Sequence, residues 1–103
     1  MEWKRNPHGR TQSTSLSRVL AAGGRRAVKT PQRVVLEAVD WVDIYDPSLD
    51  TWFSKESMRS AREAHTLTTL PAGRVLAIGG KSSRGHLTSA EIYDPTTDTW
   101  SFR

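Results

Sequence analysis

The second half of the chain alternates short apolar stretches with turns rich in glycine, proline and aspartate. These stretches predict four β-strands, over residues 64–70, 74–78, 88–94 and 99–102. The second of them is mostly aliphatic, as in a strand covered on both faces, and Gly79-Gly80 ends it. Because every connection is short, neighbouring strands should pair in chain order. The pattern therefore predicts a four-stranded antiparallel meander.

The same pattern occurs earlier in the chain, which makes this a repeat protein. Residues 90–100 repeat residues 42–52, and residues 74–80 repeat residues 18–24. The unit of about 48 residues carries two strands, a Gly-Gly doublet and a strand that ends in Tyr-Asp-Pro. This length and content are typical of β-propeller blades rather than helical solenoids. We therefore expect an all-β chain of two four-stranded antiparallel blades, an incomplete propeller.

The first repeat is irregular. Gly24 and Tyr45 are 21 positions apart, whereas Gly80 and Tyr93 are 13 positions apart. The extra residues lie around 25–32 and predict a longer loop between the second and third strands, followed by a strand-like run that begins at Val34. Upstream, residues 11–16 match the innermost strand poorly, although they are placed to supply it.

On this basis the chain divides into three segments. They are a basic and loosely ordered N-terminus at 1–16, an irregular first blade at 17–56 and a well-matched second blade at 57–103. Propellers typically need about 4 to 8 blades to close, so two blades cannot complete a ring. Three alternatives stay open: a piece of a larger ring, a subunit that completes a ring by self-association, and a gene fragment with marginal stability.

The net charge of +4 is unevenly distributed. Residues 1–34 contain eight Lys or Arg and one Glu, whereas the remainder contains seven basic and ten acidic residues. The basic segment is open to three interpretations: a solvated terminus, a contact with nucleic acid or anionic lipid, and an organelle transit peptide. Neither helical periodicity nor interleaved aromatic residues support the last two, so the solvated terminus is preferred.

The sequence contains no cysteine, which excludes disulfides, thiolate metal sites and cysteine nucleophiles from these residues. The longest aliphatic stretches, 19–22 and 34–36, are far shorter than a signal-peptide core or a membrane span. A cytoplasmic location without membrane contact is the default expectation.

Motifs that mark catalysis are absent: there is no Gly-x-Ser-x-Gly elbow, His-Glu-x-x-His helix or phosphate-binding glycine loop. Two carboxylates flank each tight turn, and two carboxylates supply too few oxygen ligands for a calcium site. We therefore predict that these aspartates stabilise the turns: Asp46, Asp50, Asp94 and Asp98. The histidines are too scattered for a zinc site: His8, His65 and His86. We predict no enzymatic activity, no metal and no cofactor.

The order of these marker residues resembles the kelch family of β-propellers. The markers are Arg62, His65, Gly79-Gly80, Tyr93-Asp94-Pro95 and Trp100, and again Gly23-Gly24, Tyr45-Asp46-Pro47 and Trp52. The resemblance covers about residues 17–103, and it implies that a Tyr and a Trp from each blade pack against neighbouring blades. It also implies a structural, hydrogen-bonded histidine at His65. Kelch-like oxidases of the galactose oxidase type need a Tyr crosslinked to a Cys, and this sequence has no Cys.

In such a meander, the connection between strands two and three emerges at the same end as the connection to the next blade. This end, residues 53–63 and 81–87, is called the loop face, and its charges are net positive, while the turn aspartates lie at the other end. The kelch resemblance implies that partners bind at the loop face, and its charge favours an acidic peptide. The candidate contact residues are Lys55, Arg59, Arg62, Lys81, Arg84 and His86.

The preferred function is a non-catalytic kelch-repeat module for protein binding or scaffolding. The alternative is a fragment of a longer galactose-oxidase-like or carbohydrate-associated propeller with no independent activity. Contact with nucleic acid through residues 1–34 is a weaker alternative.

Overall fold

The computed structural model describes residues 11–15 and 18–103, and it contains two four-stranded antiparallel sheets. The first blade pairs its strands in the order β1 (Thr11–Ser15), β2 (Arg18–Ala22), β5 (Val42–Asp46) and β6 (Thr51–Lys55). The second blade pairs them in the order β7 (Thr66–Thr69), β8 (Val75–Ile78), β11 (Ala90–Asp94) and β12 (Thr99–Phe102). The prediction of an all-β chain with two four-stranded blades is confirmed.

Each blade carries a two-stranded hairpin between its second and third strands. In the first blade β3 (Arg25–Lys29) pairs with β4 (Val34–Ala38), and in the second β9 (Lys81–Ser82) pairs with β10 (Gly85–His86). The Thr30 N–H donates to the Arg33 carbonyl at 2.8 Å and closes the longer hairpin. The extra length of the first repeat is therefore an ordered β-hairpin, and the strand-like run from Val34 is its second strand.

The Tyr-Asp-Pro turns of the two blades have the same geometry. In the second blade Tyr93 lies opposite Trp100 with ring centroids 5.1 Å apart, and its hydroxyl donates to Asp98 Oδ1 at 2.7 Å. Asp98 has a left-handed backbone (φ 53°), while Asp94 Oδ1 accepts a turn N–H at 2.9 Å. The first blade reproduces every one of these contacts with Tyr45, Trp52, Asp50 and Asp46. The four aspartates are confirmed as turn formers.

Both blades contribute to one apolar core. The first strands of the blades, β1 and β7, lie close together, and β4 lies beside β9. The segment between the blades adds Met58 to this core. The buried core residues are Leu20, Ala22, Val42, Met58, Val75, Ala77, Tyr93 and Trp100. The aromatic pair of the second blade is therefore buried where the blades meet, which agrees with the role that the kelch resemblance implies.

The first sheet begins upstream of the boundary predicted at residue 17, because Thr11–Ser15 forms its edge strand. The strand expected from residue 11 is thus present despite its poor match. Residues 1–10, 16 and 17, which include most of the predicted loose N-terminus, lie outside the described residues. The division into three segments stays a prediction. Within the described part of the chain, no helix has the length and apolar character needed to cross a membrane.

Candidate functional site

The segment between the two blades, residues 56–65, is called the blade connection and is hydrogen-bonded to both of them. On the side of the first blade, the Gly24 N–H donates to the Arg62 carbonyl at 2.8 Å. On the side of the second blade, Glu63 and Lys81 exchange two backbone hydrogen bonds of 2.9 Å. Because its backbone polar groups are bonded in both directions, the connection is an ordered layer between the sheets.

The side chain of Arg62 is fully buried and every one of its N–H groups is bonded. Nε and Nη2 donate to Glu91 Oε2 at 3.2 and 3.1 Å, and Nη1 donates to the carbonyls of Gly79 and Ser89 at 3.0 and 2.9 Å. Nη2 also donates to the Ser89 hydroxyl at 3.0 Å. A guanidinium has five N–H donors, so this one is satisfied within the protein. Arg62 was predicted as a surface contact residue, and its burial removes it from the loop-face surface.

Glu91 is the partner that sequence reasoning missed. Its carboxylate is fully buried and accepts the backbone N–H groups of Arg59 and Ser60 at 2.7 and 3.1 Å, besides the Arg62 guanidinium. A signal was available, because Glu91 and Tyr93 are two residues apart in β11 and so share one face of the strand. The same position in the first blade, Asp43, is also buried, and its Oδ1 accepts the Ser54 hydroxyl at 3.1 Å.

The glycine doublets make room for the blade connection. Gly23 has φ +69°, and a Cβ there would lie 2.6 Å from both the Arg62 carbonyl and the His65 ring. Gly80 has φ +83°, and a Cβ there would overlap the Glu63 carbonyl and lie 2.8 Å from His65 Cβ. Both glycines are therefore required by backbone conformation and by close approach. They hold the same stretch of the connection from its two sides.

His65 is buried between these glycines and acts by packing. Neither ring nitrogen makes a hydrogen bond of ordinary geometry with a described residue, but the ring also interacts with the Ala22 backbone, so the hydrogen-bonding role stays a prediction. Burial lowers the pKa of His65 to about 4; the interaction with the Ala22 backbone opposes the shift, and the positive charge of Arg62 adds to it. The imidazole is accordingly neutral at physiological pH.

The other end of the blade connection contacts the turn of the second blade. The Trp100 indole N–H donates to the Glu56 carbonyl at 3.0 Å, and the Glu56 N–H donates to Asp98 Oδ1 at 3.1 Å. The Tyr93 hydroxyl, then the Glu56 N–H and the charge of Lys55, lower the pKa of Asp98 against the opposing effect of burial. Burial, and then the bond to Asp98, raise the pKa of Tyr93. The expected separation of acidic and basic ends therefore fails at Asp98, which lies against the connection.

Three of the candidate contact residues lie together on the hairpin β9–β10. Lys81 and His86 are directly paired across it, and Arg84 lies in its turn, with all three side chains exposed. Lys81 Nζ is 3.9 Å from Glu63 Oε1, a long contact between a half-exposed ammonium and its acid. The hairpin therefore presents three basic or titratable side chains to solvent.

Arg59 and Lys55 lie against exposed aromatic rings. The Arg59 guanidinium lies 5.1 Å from the ring centroid of Phe102, and Lys55 Nζ lies 5.9 Å from that of Phe53. Arg59, Phe53 and Phe102 are exposed. The structure thus pairs these two cations with apolar surface.

The residues described here offer no group of three or more His, Asp or Glu side chains arranged to bind a metal ion. A cleft of about 210 Å³ lies between the base of the hairpin β3–β4 and the blade connection. Trp41, Arg26 and Glu37 are among its lining residues, and Arg26 Nε donates to Glu37 Oε1 at 2.6 Å. The arrangement is a polar surface notch held by an ion pair.

Comparison with known proteins agrees with this architecture. Residues 67–102, which span the second blade from β7 to β12, match the Kelch motif. Kelch-like protein 26 of Mus musculus is 38% identical over 65 residues, which are 63% of this chain and 11% of that protein. Kelch-like protein 36 of Bos taurus is 36% identical over 58 residues, 56% of this chain and 9% of that protein.

An enzyme is also among the similar proteins. Galactose oxidase of Gibberella zeae is 32% identical over 83 residues, which are 80% of this chain and 10% of the enzyme. The chain spans about a tenth of the length of the curated relatives it matches. The second blade thus carries the Kelch motif, and with its two four-stranded sheets, paired glycines and repeated Tyr-Trp contacts the chain is similar to kelch-repeat proteins.

Proposed function

We propose that the chain is a non-catalytic protein-binding module whose partner docks on the loop face. This proposal rests on the contrast between charged side chains that are paired within the fold and those that are exposed on the loop face. Arg62 and Glu91 neutralise each other in the interior, and the turn aspartates bond to tyrosine hydroxyls and turn amides. Arg84 and His86 on the loop face are exposed and form no ion pair with a described residue, which supports their availability to a partner.

The chemistry of this surface favours an acidic peptide with apolar side chains. The hairpin β9–β10 presents Lys81, Arg84 and His86, and the Arg59 guanidinium lies over the exposed ring of Phe102. The cation of such a pair attracts a carboxylate of the partner, and the exposed ring provides a surface on which an apolar side chain of the partner can be buried. Rim charges of this kind mainly accelerate association and select partners of opposite charge.

The proposal is tested by selection followed by mutation. Peptides are selected from a random displayed library with the full chain, and their affinities are measured by fluorescence anisotropy. We expect acidic peptides whose binding weakens at least about tenfold in the double variant Arg84→Ala/His86→Ala. The matched control is Thr96→Ala/Thr97→Ala in the β11–β12 turn, which should leave binding unchanged. Failure to enrich any peptide, or equal loss in both variants, would contradict the proposal.

The alternative is a segment of a longer carbohydrate-associated propeller with no independent activity, and the galactose oxidase match over 80% of this chain favours it. Its test is a titration of the isotope-labelled chain with galactose, followed by NMR. Protein binding as the main role predicts no clustered shift changes. Saturable changes confined to one surface would support the carbohydrate alternative instead.

Completion of a ring by self-association is a separate hypothesis that follows from the number of blades. Three two-blade chains would supply six blades, which lies within the usual range of about 4 to 8. Sedimentation at micromolar concentration measures this directly. A trimer supports ring completion, and a monomer contradicts it.

A further inference from the structure

One face of the hairpin β3–β4 is exposed and combines aliphatic with cationic side chains. Directly opposed residues of a hairpin project to the same side, and successive pairs alternate between the two sides. Leu36 and Val34 on this face are 49% and 56% exposed. The cross-strand pairs of the face are Arg25 with Ala38, Ala27 with Leu36, and Lys29 with Val34. We call Arg25, Ala27, Lys29, Val34 and Leu36 the hairpin face.

The opposite side of the hairpin is already used by the fold. Glu37 accepts Arg26 Nε at 2.6 Å, the Arg26 guanidinium lies 5.6 Å from the Trp41 ring centroid, and Val28 and Val35 are half-buried. Glu37 is thus paired away from the hairpin face.

The hairpin face carries an uncompensated positive charge. Residues 25–36 include four Lys or Arg and no acid. Arg25, Lys29 and Arg33 form no ion pair with any residue of the described ranges. A contiguous aliphatic surface framed by unpaired cations is complementary to a ligand that is both acidic and aliphatic.

We propose that the hairpin face binds an extended segment of a partner protein with the pattern acid-x-aliphatic-x-acid. Arg25 and Lys29 are four residues apart on one strand, which separates them by about 13 Å. An extended partner segment has the same spacing, so its first and fifth side chains meet these cations while its third meets Leu36. This inference rests on the proposed function, and it specifies the chemistry of the partner.

The position of the hairpin agrees with this role. The hairpin β3–β4 emerges from the first blade between the same two strands as β9–β10 does in the second, and β4 lies beside β9. A partner on the hairpin face therefore also approaches the basic hairpin of the loop face.

The experiment uses the full chain and a labelled, capped peptide that contains Glu-Ser-Leu-Ser-Glu twice. The control peptide has the same composition with the order Glu-Leu-Ser-Ser-Glu, which moves the leucine to the other side of an extended chain. Fluorescence anisotropy should show binding of the first peptide and at least about tenfold weaker binding of the second. Raising the salt concentration should weaken the binding, because exposed charges are screened.

Variants locate the site. Lys29→Glu and Leu36→Lys should each weaken binding at least about tenfold, and Lys29→Gln should weaken it less than Lys29→Glu. The matched control is Leu49→Lys, at a 62% exposed leucine in the β5–β6 turn, which should leave binding unchanged. Arg84→Glu, on the other hairpin, should weaken binding less than Lys29→Glu does. Thermal unfolding of each variant verifies that it is folded, as expected for substitutions at exposed positions.

The possible results separate this inference from the proposed function. Loss of binding in Arg84→Glu with retention in Lys29→Glu would overturn the inference and leave loop-face binding intact. Equal binding of the two peptides, or binding of neither, would also overturn it. A dimer that Leu36→Lys converts to a monomer in sedimentation would show that a second copy covers the hairpin face, which contradicts a heterologous acidic segment.

Discussion

Arg62 and Glu91, 29 residues apart in the sequence, form an ion pair of 3.1 Å in which both side chains are fully buried. Arg62 belongs to the blade connection and Glu91 to β11, so the pair fixes the connection to the second blade. Burying two charges costs desolvation energy, and the cost is offset only when the remaining donors and acceptors are also bonded. The carbonyls of Gly79 and Ser89 and the N–H groups of Arg59 and Ser60 meet this condition.

The first prediction concerns removal of one partner from this pair. Arg62→Met leaves a buried carboxylate without its counter-ion, so the free energy of unfolding should fall by about 3–5 kcal/mol. The double variant Arg62→Met/Glu91→Met removes both charges and should cost clearly less than the sum of the two single variants. Urea denaturation measures all three. Additive effects would show that the two residues do not interact.

The second prediction separates backbone strain from close approach at glycine. Gly80 and Gly85 both have positive φ, at +83° and +112°, but only a Cβ on Gly80 meets neighbouring atoms. Gly80→Ala should therefore destabilise the protein by several kcal/mol, whereas Gly85→Ala should cost about 1–2 kcal/mol from backbone conformation alone. Thermal or urea unfolding gives both values. Equal costs would mean that the connection does not press against the glycine doublet.

The third prediction concerns the tryptophans of the two blades. Trp100 is buried and donates to the Glu56 carbonyl, so Trp100→Ala should cost about 3–5 kcal/mol of unfolding free energy. Trp52 occupies the same position in the first blade but is half-exposed, so Trp52→Ala should cost less. Lys81→Ala, at an exposed lysine, should change stability by less than about 0.5 kcal/mol. A near-silent Trp100→Ala variant would show that the blades are not packed together.

The fourth prediction is a pH dependence of stability that originates at His65. Its pKa is about 4 in the folded protein and about 6.5 in the unfolded chain, so the unfolded chain binds more protons between these values. Stability from this group is complete above about pH 6.5 and is lost as the pH falls towards about 4. The fold also lowers the pKa of some carboxyl groups, such as Asp98, below the ordinary value of about 3.8. The stability that these groups contribute is lost mainly at lower pH than the loss from His65.

The control for this prediction is the other described histidine. His65→Phe should flatten the dependence of the unfolding free energy on pH between about 6.5 and 4, whereas His86→Ala, at an exposed residue, should preserve it. Urea denaturation at a series of pH values provides the comparison. The same slope in the wild type and in His65→Phe would contradict a buried neutral imidazole.

The strands and turns were predictable because their determinants are local. Tyr93, Asp94 and Asp98 lie within six residues of one another. The Tyr93 hydroxyl donates to Asp98 and the Thr96 N–H donates to Asp94, so the turn is completed by groups from one short segment. Side-chain alternation in β11 likewise depends on neighbours two residues away. The repeated tract 42–52 could then be assigned the same structure by comparison alone.

The misassigned residues depend on contacts that are distant in the sequence. Arginine is usually exposed, so Arg62 was placed on the surface, and only the position of Glu91 on the next sheet shows why it is buried. Asp98 was predicted to lie away from the basic residues because strand order alone does not show which residues of the blade connection meet the turn, and its partner Glu56 is 42 residues away. Strand β3 lies in the predicted loop because residues 25–29 lack the usual alternation of apolar and polar side chains, whereas the run that became β4 was predicted as strand-like.

The most direct test that the blade connection packs between the blades is a nuclear Overhauser measurement between the Met58 methyl group and the Gly23 α-protons. A Cβ on Gly23 would lie 3.0 Å from Met58 Cε, so these protons belong to neighbouring groups although the residues are 35 positions apart. A connection packed between the blades should give a clear Met58–Gly23 cross-peak together with cross-peaks between the paired strands of each blade. Strand cross-peaks without the Met58–Gly23 cross-peak would show that the blade connection does not pack on the first blade, which contradicts a connection held between the blades.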